Sequence, residues 1–450
     1  MPQRISATQA LLEGRFQPAS ITVENGKISA IDSYEPREQD IFVDENYLLF
    51  PGVVDTHVHL NEPGRTHWEG FESGTRAAAA GGATTVIDMP LNSIPPTTTE
   101  GALKLKKQVA EKQIYVDTGF WGGLVPGNLG ELKDLVKAGV FGFKCFTLDS
   151  GVEEFPSVDE QTLYEGMREI KRLDSLLVIH AEHAETIEAH ALESATSYTA
   201  FADSRPPLAE VQAIEMVLRN VEKTGCRTHI LHVSSAEALE VITQGKKAGL
   251  PITAETCPHY LTFVAEEIPD GASQFKCCPP IRSKSQQDAL WRGLLDGTLD
   301  LIVSDHSPAD AEQKFNADGD LVRAWGGVAG LQVSFTAVAA EATKRGIPLE
   351  KVAQWMSASP ANLVGLSQKG RLEVGADADF LIYNPLAEQT INAHDLQHKN
   401  PISAYDGARL QGRVEATIVR GETVYALGQF APRRGTFLTT TTDFSPAEAK

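Results

Sequence analysis

From Ala19 to Asp32 apolar and polar positions alternate around Asn25-Gly26, a pattern that predicts a β-hairpin with its turn on that dipeptide. The stretch from Gly370 to about Gln429 has the same texture, and Ala416 to Tyr425 predicts a second hairpin. The middle of the chain differs. Short apolar runs recur at Leu48–Val54, Ala83–Ile87, Ile114–Gly119, Val140–Phe143, Leu176–Ile179, Thr228–Leu231, Ile252–Ala254 and Leu299–Val303. Amphipathic stretches separate them, at Leu103–Glu111, Glu160–Leu173, Leu208–Thr224 and Ala236–Ala248. Strands alternating with helices predict an α/β fold with a parallel sheet, and eight such runs fit a (β/α)8 TIM-like barrel with insertions. A doubly wound open sheet is the alternative, but no glycine-rich phosphate loop follows the first run.

This pattern divides the chain into residues 1–50, 51–368, 369–430 and 431–450. The first and third segments are expected to pair into one small sheet domain built from both chain ends. The second is the barrel. The last carries Arg433-Arg434 and a threonine run without periodicity, which predicts a loose surface tail.

Composition then narrows the partners. The 450 residues are 42% hydrophobic and 22% charged, as in an ordinary globular protein. Sixty acidic against forty basic residues give a net charge of −20, with no basic patch, which argues against nucleic acid or an anionic membrane as partner. No stretch approaches the roughly 20 apolar residues of a membrane span. Met1-Pro2-Gln3-Arg4 lacks the apolar core of a signal peptide, so a cytoplasmic location is expected. Five cysteines, without a CxxC pair, form neither a disulfide framework nor a structural zinc motif.

The chemistry lies at the ends of the apolar runs. His57 and His59 close the first, Lys144 the fourth, His180 the fifth, His232 the sixth and Asp305 the last. In a barrel the C-terminal ends of the strands converge on one mouth, so residues distant in sequence meet there. His57 and His59, two apart on a strand, point to the same face. Each residue alone has an ordinary explanation: a hydrogen-bonded histidine, a solvated lysine, an aspartate capping a loop. Their conjunction at predicted strand ends carries the argument for a divalent metal site.

This constellation resembles the amidohydrolase superfamily, in its cyclic-amidase branch, over nearly the whole chain. The resemblance implies a barrel with a β-sandwich composed from both termini, and two divalent ions per chain. Zinc is the expected metal, with cobalt, manganese or iron as alternatives. His57, His59 and Asp305 would hold one ion, and His180 and His232 the other. Lys144, carboxylated by CO2 to N6-carboxylysine, would bridge them. Asp305 would also be catalytic, shuttling the proton while a metal-activated hydroxide opens the ring amide. The resemblance further suggests a homotetramer or dimer.

Local motifs narrow the substrate. Trp68-Glu69-Gly70, Met89-Pro90-Leu91-Asn92, Gly142-Phe143-Lys144-Cys145-Phe146 and Ala324-Trp325-Gly326-Gly327 are similar to those of allantoinases, implying allantoin as substrate. Dihydroorotases place an arginine where this chain has Asn61, and dihydropyrimidinases a tyrosine shortly after the lysine motif, where this chain has Phe146-Thr147-Leu148-Asp149. Both absences suit a neutral hydantoin with a ureido arm. Asn61, Asn92 and Cys278, the last through its backbone, are candidate substrate contacts. Loop capping is an equal reading of Asn61 and Asn92, and His259 reads as a support for the centre or a structural residue. The alternatives are a hydantoinase or dihydropyrimidinase, a dihydroorotase, and, from another class, a non-catalytic scaffold homologue; the six filled ligand positions speak against the last.

Overall fold

The computed structural model describes residues 3–315 and 318–440. Five strands open the chain: β1 (Gln3–Leu12), β2 (Arg15–Glu24), β3 (Lys27–Asp32), β4 (Ile41–Val43) and β5 (Leu48–Pro51). Nine shorter, almost wholly buried strands follow: β6 (Val53–Val58), β7 (Ala83–Asp88), β8 (Asp117–Phe120), β9 (Gly122–Gly123), β10 (Phe143–Phe146), β11 (Leu176–His180), β12 (Arg227–Ile230), β13 (Ile252–Thr256) and β14 (Leu301–Ile302). Four more close the chain: β15 (Phe380–Thr390), β16 (Arg409–Val419), β17 (Glu422–Ala426) and β18 (Gln429–Phe430).

The two ends share one nine-stranded sheet, in the order β18-β17-β16-β15-β5-β1-β2-β3, with β4 beside β1. Antiparallel pairing of β5 with β15, Leu49 opposite Ile382, is the stitch between the termini. The hairpin at Asn25-Gly26 forms, both residues with positive φ (53° and 77°), the twist that suits two-residue hairpins. Arg420-Gly421 turns β16 into β17 the same way. The expected β-sandwich domain built from both chain ends has its strands in this one hydrogen-bonded network, over a core of Ile5, Ile21, Val23, Leu49, Phe380 and Ile418.

Strands β6 to β14 are parallel, in two arcs: β6-β7-β8 and β14-β13-β12-β11-β10-β9. They read as continuous apolar runs because helices cover their outer faces. The helix Glu160–Arg172 is typical. Asp159 caps it by accepting from Thr162 N at 2.7 Å, and Leu163, Gly166, Met167 and Ile170 form its buried stripe. Each large apolar side chain so buried contributes about 1.5–3 kcal/mol. A Cβ on Gly166 would lie 2.4 Å from Leu124, so this helix packs closely only with glycine there.

The expectation of a loose tail is corrected for residues 431–440. Leu438 N donates to Thr118 O and Thr118 N to Thr436 O, both at 2.9 Å, and Phe437 packs against Phe120. The open edge of β8 leaves backbone groups that need partners, and this segment supplies them. Residues 441–450 lie outside the described residues. Among the described residues no helix is long and apolar enough to cross a membrane.

Candidate metal centre

At the C-terminal ends of β6, β10, β11 and β12 a cavity of about 400 Å³ opens. His57, His59, Lys144, His180, His232 and Asp305 all line it. A larger groove, about 680 Å³, lies at the opposite strand ends around Thr228, Ile252 and Leu301 and holds no imidazole. Volume therefore does not identify the site; chemistry does.

The backbone places these side chains in two ways. His57 and His59 use the two-residue period of β6, and their rings lie 5.5 Å apart. His232 and Asp305 sit just past their strands with positive φ, 36° and 44°. That conformation is uncommon for non-glycine residues and costs about 1–3 kcal/mol, a strain concentrated at functional sites. His57 Nε2 lies 3.1 Å from Asp305 Oδ1, and His59 Nε2 lies 3.8 Å from it. Donor atoms of these three residues fall within 4.8 Å of one another. Across the cavity the rings of His180 and His232 meet edge-on at 4.5 Å, and Phe146 stacks on His180 at 4.8 Å. Lys144 Nζ lies 4.6 Å from the Phe146 ring on the same face of β10. Cys145 is buried on that strand between them, its thiol pushed up by burial.

Buried carboxylates fix the imidazoles. Glu255 accepts from His57 Nδ1 at 2.6 Å and from His229 Nε2 at 2.9 Å. Glu182 Oε2 accepts from His180 Nε2 at 2.8 Å, and Arg205 donates to both carboxylate oxygens, to Oε2 at 2.6 Å and to Oε1 at 3.1 Å. Each bond selects a tautomer and leaves the other ring nitrogen free to donate to an ion. Burial alone would raise Glu255, yet His57 and His229 hold it at about 2. Glu182 sits likewise at about 2 because Arg205 and His180 outweigh its burial.

This donor set fits a divalent cation. Among the described residues His232 Nδ1 is buried without a hydrogen-bond partner, an expensive state for a polar atom in a protein interior, and His57 Nε2 faces Asp305 Oδ1 at 3.1 Å. Burial and neighbouring positive charge hold His59 and His232 well below their ordinary range, so both offer lone pairs. Burial opposes a charged His57, but Asp305 and Glu255 on either side push it up to about 9. Its site thus attracts positive charge. Burial pulls Lys144 down to about 8 against the attraction of Asp305 and Glu255, leaving on the order of a tenth of the amine neutral at pH 7.

The candidate substrate contacts separate. Asn92 and Cys278 line the cavity; Asn61 does not. Asn61 has φ 61°, is fully buried, and donates from Nδ2 to Pro308 O at 3.3 Å. It holds the turn after β6 against the Asp305 loop, because asparagine tolerates this left-handed conformation. Asn92 (φ 66°) presents Nδ2 to His59 Nδ1 at 3.5 Å. Arg65 is tied to Glu154 and to Asn92 O and stacks on Trp68, so its charge is spent outside the cavity. Trp325 lines the cavity, and His259 is buried beside Asp305 and Cys257, held at about 4 by burial.

Sequence reasoning missed Glu255, Glu182 and Arg205. Two of them carried a signal. Glu255 stands inside an apolar strand run, and Glu182 falls two residues after His180. A carboxylate in such a place needs a buried partner.

The sequence matches the model of the Amidohydrolase family over residues 48–424. An allantoinase of Streptomyces avermitilis is 48% identical over 440 residues, covering 96% of this chain and 98% of that protein. An allantoinase of Saccharomyces cerevisiae is 42% identical over 443 residues, covering 94% and 95%. Among solved structures, an L-hydantoinase (dihydropyrimidinase) from Arthrobacter aurescens matches with a TM-score of 0.92 at 32% identity, covering 98% of this chain and all of that one.

Proposed function

The chain belongs to the amidohydrolase family, and from that premise we propose that it hydrolyses the cyclic amide bond of allantoin to give allantoate. The observation that carries this reading is end-to-end similarity to allantoinases at 42–48% identity, in a chain that keeps all six polar strand-end residues around one cavity. The cavity wall agrees with the substrate. Arg65 is committed to Glu154, and a neutral asparagine, Asn92, stands beside His59.

In this reading His57, His59 and Asp305 would hold one divalent ion, His180 and His232 would hold a second, and carboxylated Lys144 would serve both as an anionic ligand. Zinc is the first choice, with cobalt, manganese or iron as alternatives. Carboxylation joins neutral Nζ to CO2 with loss of a proton, turning a buried cation into an anionic oxygen ligand. Bound there, the ions would polarise the ring carbonyl and lower the pKa of the attacking water. The chain's own residues do the rest. Asp305, kept well below the usual carboxylate range by His57, His232 and His59 despite its burial, is ionised and accepts the proton of that water. Ser307 donates to Asp305 Oδ1 at 3.0 Å and steadies it. As the water oxygen bonds to the carbonyl carbon and the ring C–N bond breaks, Asp305 returns the proton to the leaving nitrogen. Glu255 and Glu182 keep the imidazoles from rotating.

The same reading closes strands β6 to β14 into a (β/α)8 barrel spanning residues 51–368, with 1–50 and 369–430 as the sheet domain. Its support is the bridge from Val58 to His306 across one gap and Phe141 N to Phe120 O at 3.0 Å across the other. A homotetramer or dimer is the expected assembly. The test is hydrolysis by metal-replete protein in bicarbonate buffer, with allantoin, hydantoin, dihydrouracil and dihydroorotate side by side. Turnover confined to allantoin with about two metal ions per chain is expected. Turnover of another ring instead would overturn the substrate, and protein that binds no metal would overturn the mechanism.

A further inference from the structure

Two buried lysines stand against the cavity without touching the metal centre. Lys314 is 3% exposed and Lys276 8%. The ammonium of Lys314 donates to Trp325 O at 2.9 Å, Lys276 O at 3.3 Å and Ser273 O at 3.4 Å, and also to Gly327 O. Lys276 Nζ donates to Val322 O at 3.0 Å and to Ala324 O. The hydrogen bonds of both ammoniums therefore end on backbone carbonyls. Four of those carbonyls belong to Val322–Gly327, an irregular run that lines the same cavity as His180 and Lys144.

A buried charge is costly, and an apolar side chain of the same length would fill the space without that cost. What lysine adds is a compact head with three donors, able to gather carbonyls from several segments at one point; burial pulls Lys314 down to about 7 and lowers Lys276 too, and the gathered carbonyls are what favour the charged form. The run needs such a tie. It has neither helix nor strand to fix it, while Gly327 is wedged so closely on Ser307 that a Cβ would lie 2.3 Å from Ser307 O. Ser307 in turn bonds Asp305. A shift of this wall would move both the space beside Trp325 and the support of Asp305.

We propose that Lys314 and Lys276 are positioning residues, acting as built-in monovalent cations that clamp the Val322–Gly327 wall in the shape that admits the substrate ring. The proposal rests on the ring-amide reading for its substrate, but the clamp itself is independent of it. Removing Lys314 leaves a cage of carbonyl oxygens of the kind that binds potassium or an alkylammonium ion.

The experiment compares wild type, Lys314→Ala, Lys314→Met and Lys276→Met, all metal-replete. In Lys314→Ala the KM for allantoin should rise about tenfold or more, with a smaller fall in kcat, because the wall contributes binding more than chemistry. Metal content should stay at the wild-type value. Ethylammonium or potassium should lower the KM of Lys314→Ala again and leave Lys314→Met unmoved, since the methionine fills the cage. A second readout needs no substrate. Arg323 is an exposed trypsin site, its side chain 73% accessible, flanked by the two residues whose carbonyls Lys276 holds. Cleavage after Arg323, followed by mass spectrometry, should accelerate in the lysine variants and slow when ethylammonium is added to Lys314→Ala. Unchanged KM and cleavage in a folded variant would overturn the clamp. So would losses that no cation restores, with cleavage spread over the whole chain, because that is a general loss of stability. Should Lys314→Ala not fold, Lys276→Met gives the same two readouts. If wild type does not hydrolyse allantoin while Arg323 cleavage still responds to the variants, the substrate reading falls and the clamp stands.

Discussion

Among the described residues, groups of three potential metal ligands come within 4.8 Å at two places: at the cavity, where His57, His59 and Asp305 form one group and Cys257, His259 and the same Asp305 another, and where the terminal sheet meets the start of β8, with Asp117, Asp377 and Asp379. Donor proximity does not separate them. The second cluster is already neutralised. Lys369 Nζ reaches Asp117 at 2.5 Å, Asp379 at 2.7 Å and Asp377 at 2.9 Å, and Arg420 binds Asp117 as well. Burial opposes a charged Lys369, yet the three carboxylates push its pKa up, fixing the ammonium in place. At the cavity the nearest lysine behaves in the opposite way. Burial dominates Lys144 and brings it down to about 8, and among the described residues the buried His232 Nδ1 has no hydrogen-bond partner. One cluster is a finished ion-pair network that locks the terminal sheet to β8. The other is incomplete as protein alone, which is how a cation site differs from a structural one.

The largest effect expected from this contrast is at Lys144. Lys144→Ala should reduce allantoin turnover by at least about 1,000-fold, beyond the 10–100-fold typical of residues that merely support a ligand. Thermal unfolding should stay near wild type, because the lost side chain was buried at some cost. Metal analysis and steady-state kinetics on one sample check this; retained metal and activity would refute the bridging role. Lys369→Met should do the reverse, costing about 3–5 kcal/mol of stability by leaving buried carboxylates unpaired, with metal content intact. The sign with pH follows. Asp117, depressed in the fold by Lys369 and Arg420 against its burial, contributes stability above about pH 3.8 that is lost as pH falls through its lowered folded pKa. Without the cation the aspartates repel until protonated. The deficit of Lys369→Met in denaturant titrations should therefore be large at pH 7 and shrink toward pH 4.

The same contrast explains what could be read from the chain. His57, His59 and Asp305 were legible because strand periodicity and the shared mouth of a barrel convert sequence position into spatial meeting. Lys276, Lys314 and Lys369 were not. Lys314 and Lys369 lie among polar or turn residues, where lysine reads as solvated, while Lys276 stands between Phe275 and Cys277 with no strand or helix pattern to assign it a face, and only tertiary packing buries all three. The hairpin at Asn25-Gly26 was legible since its turn chemistry is local. The docking of residues 431–440 on β8 was not, because a strand edge seeking partners leaves no mark on the segment that supplies them. Strand limits near β8 to β10 shifted by three residues, Val140–Phe143 becoming Phe143–Phe146. Gly122, Gly123 and Gly142 there let Phe143, Phe155 and Trp121 respectively pack close to the backbone, which a hydrophobicity pattern does not register.

Asn61 gives the smallest effect and the finest discrimination. It was expected at the substrate because it follows the His-Val-His-Leu run; the structure gives it a backbone role, with φ 61° and a bond to Pro308 O. Glycine accepts that conformation freely and loses only the one hydrogen bond, about 1 kcal/mol. Asn61→Gly should therefore keep kcat and KM for allantoin within about threefold and lower stability by about that much. Asn61→Ala should be less stable than Asn61→Gly, since a Cβ in the left-handed region adds about 1–2 kcal/mol. Asn92→Ala, which removes an amide from the cavity wall beside His59, should raise KM more than either. If Asn61→Gly instead lost tenfold or more in kcat/KM while folding normally, its amide would have to reach the substrate, and the turn after β6 would belong to the cavity rather than to the frame that holds it.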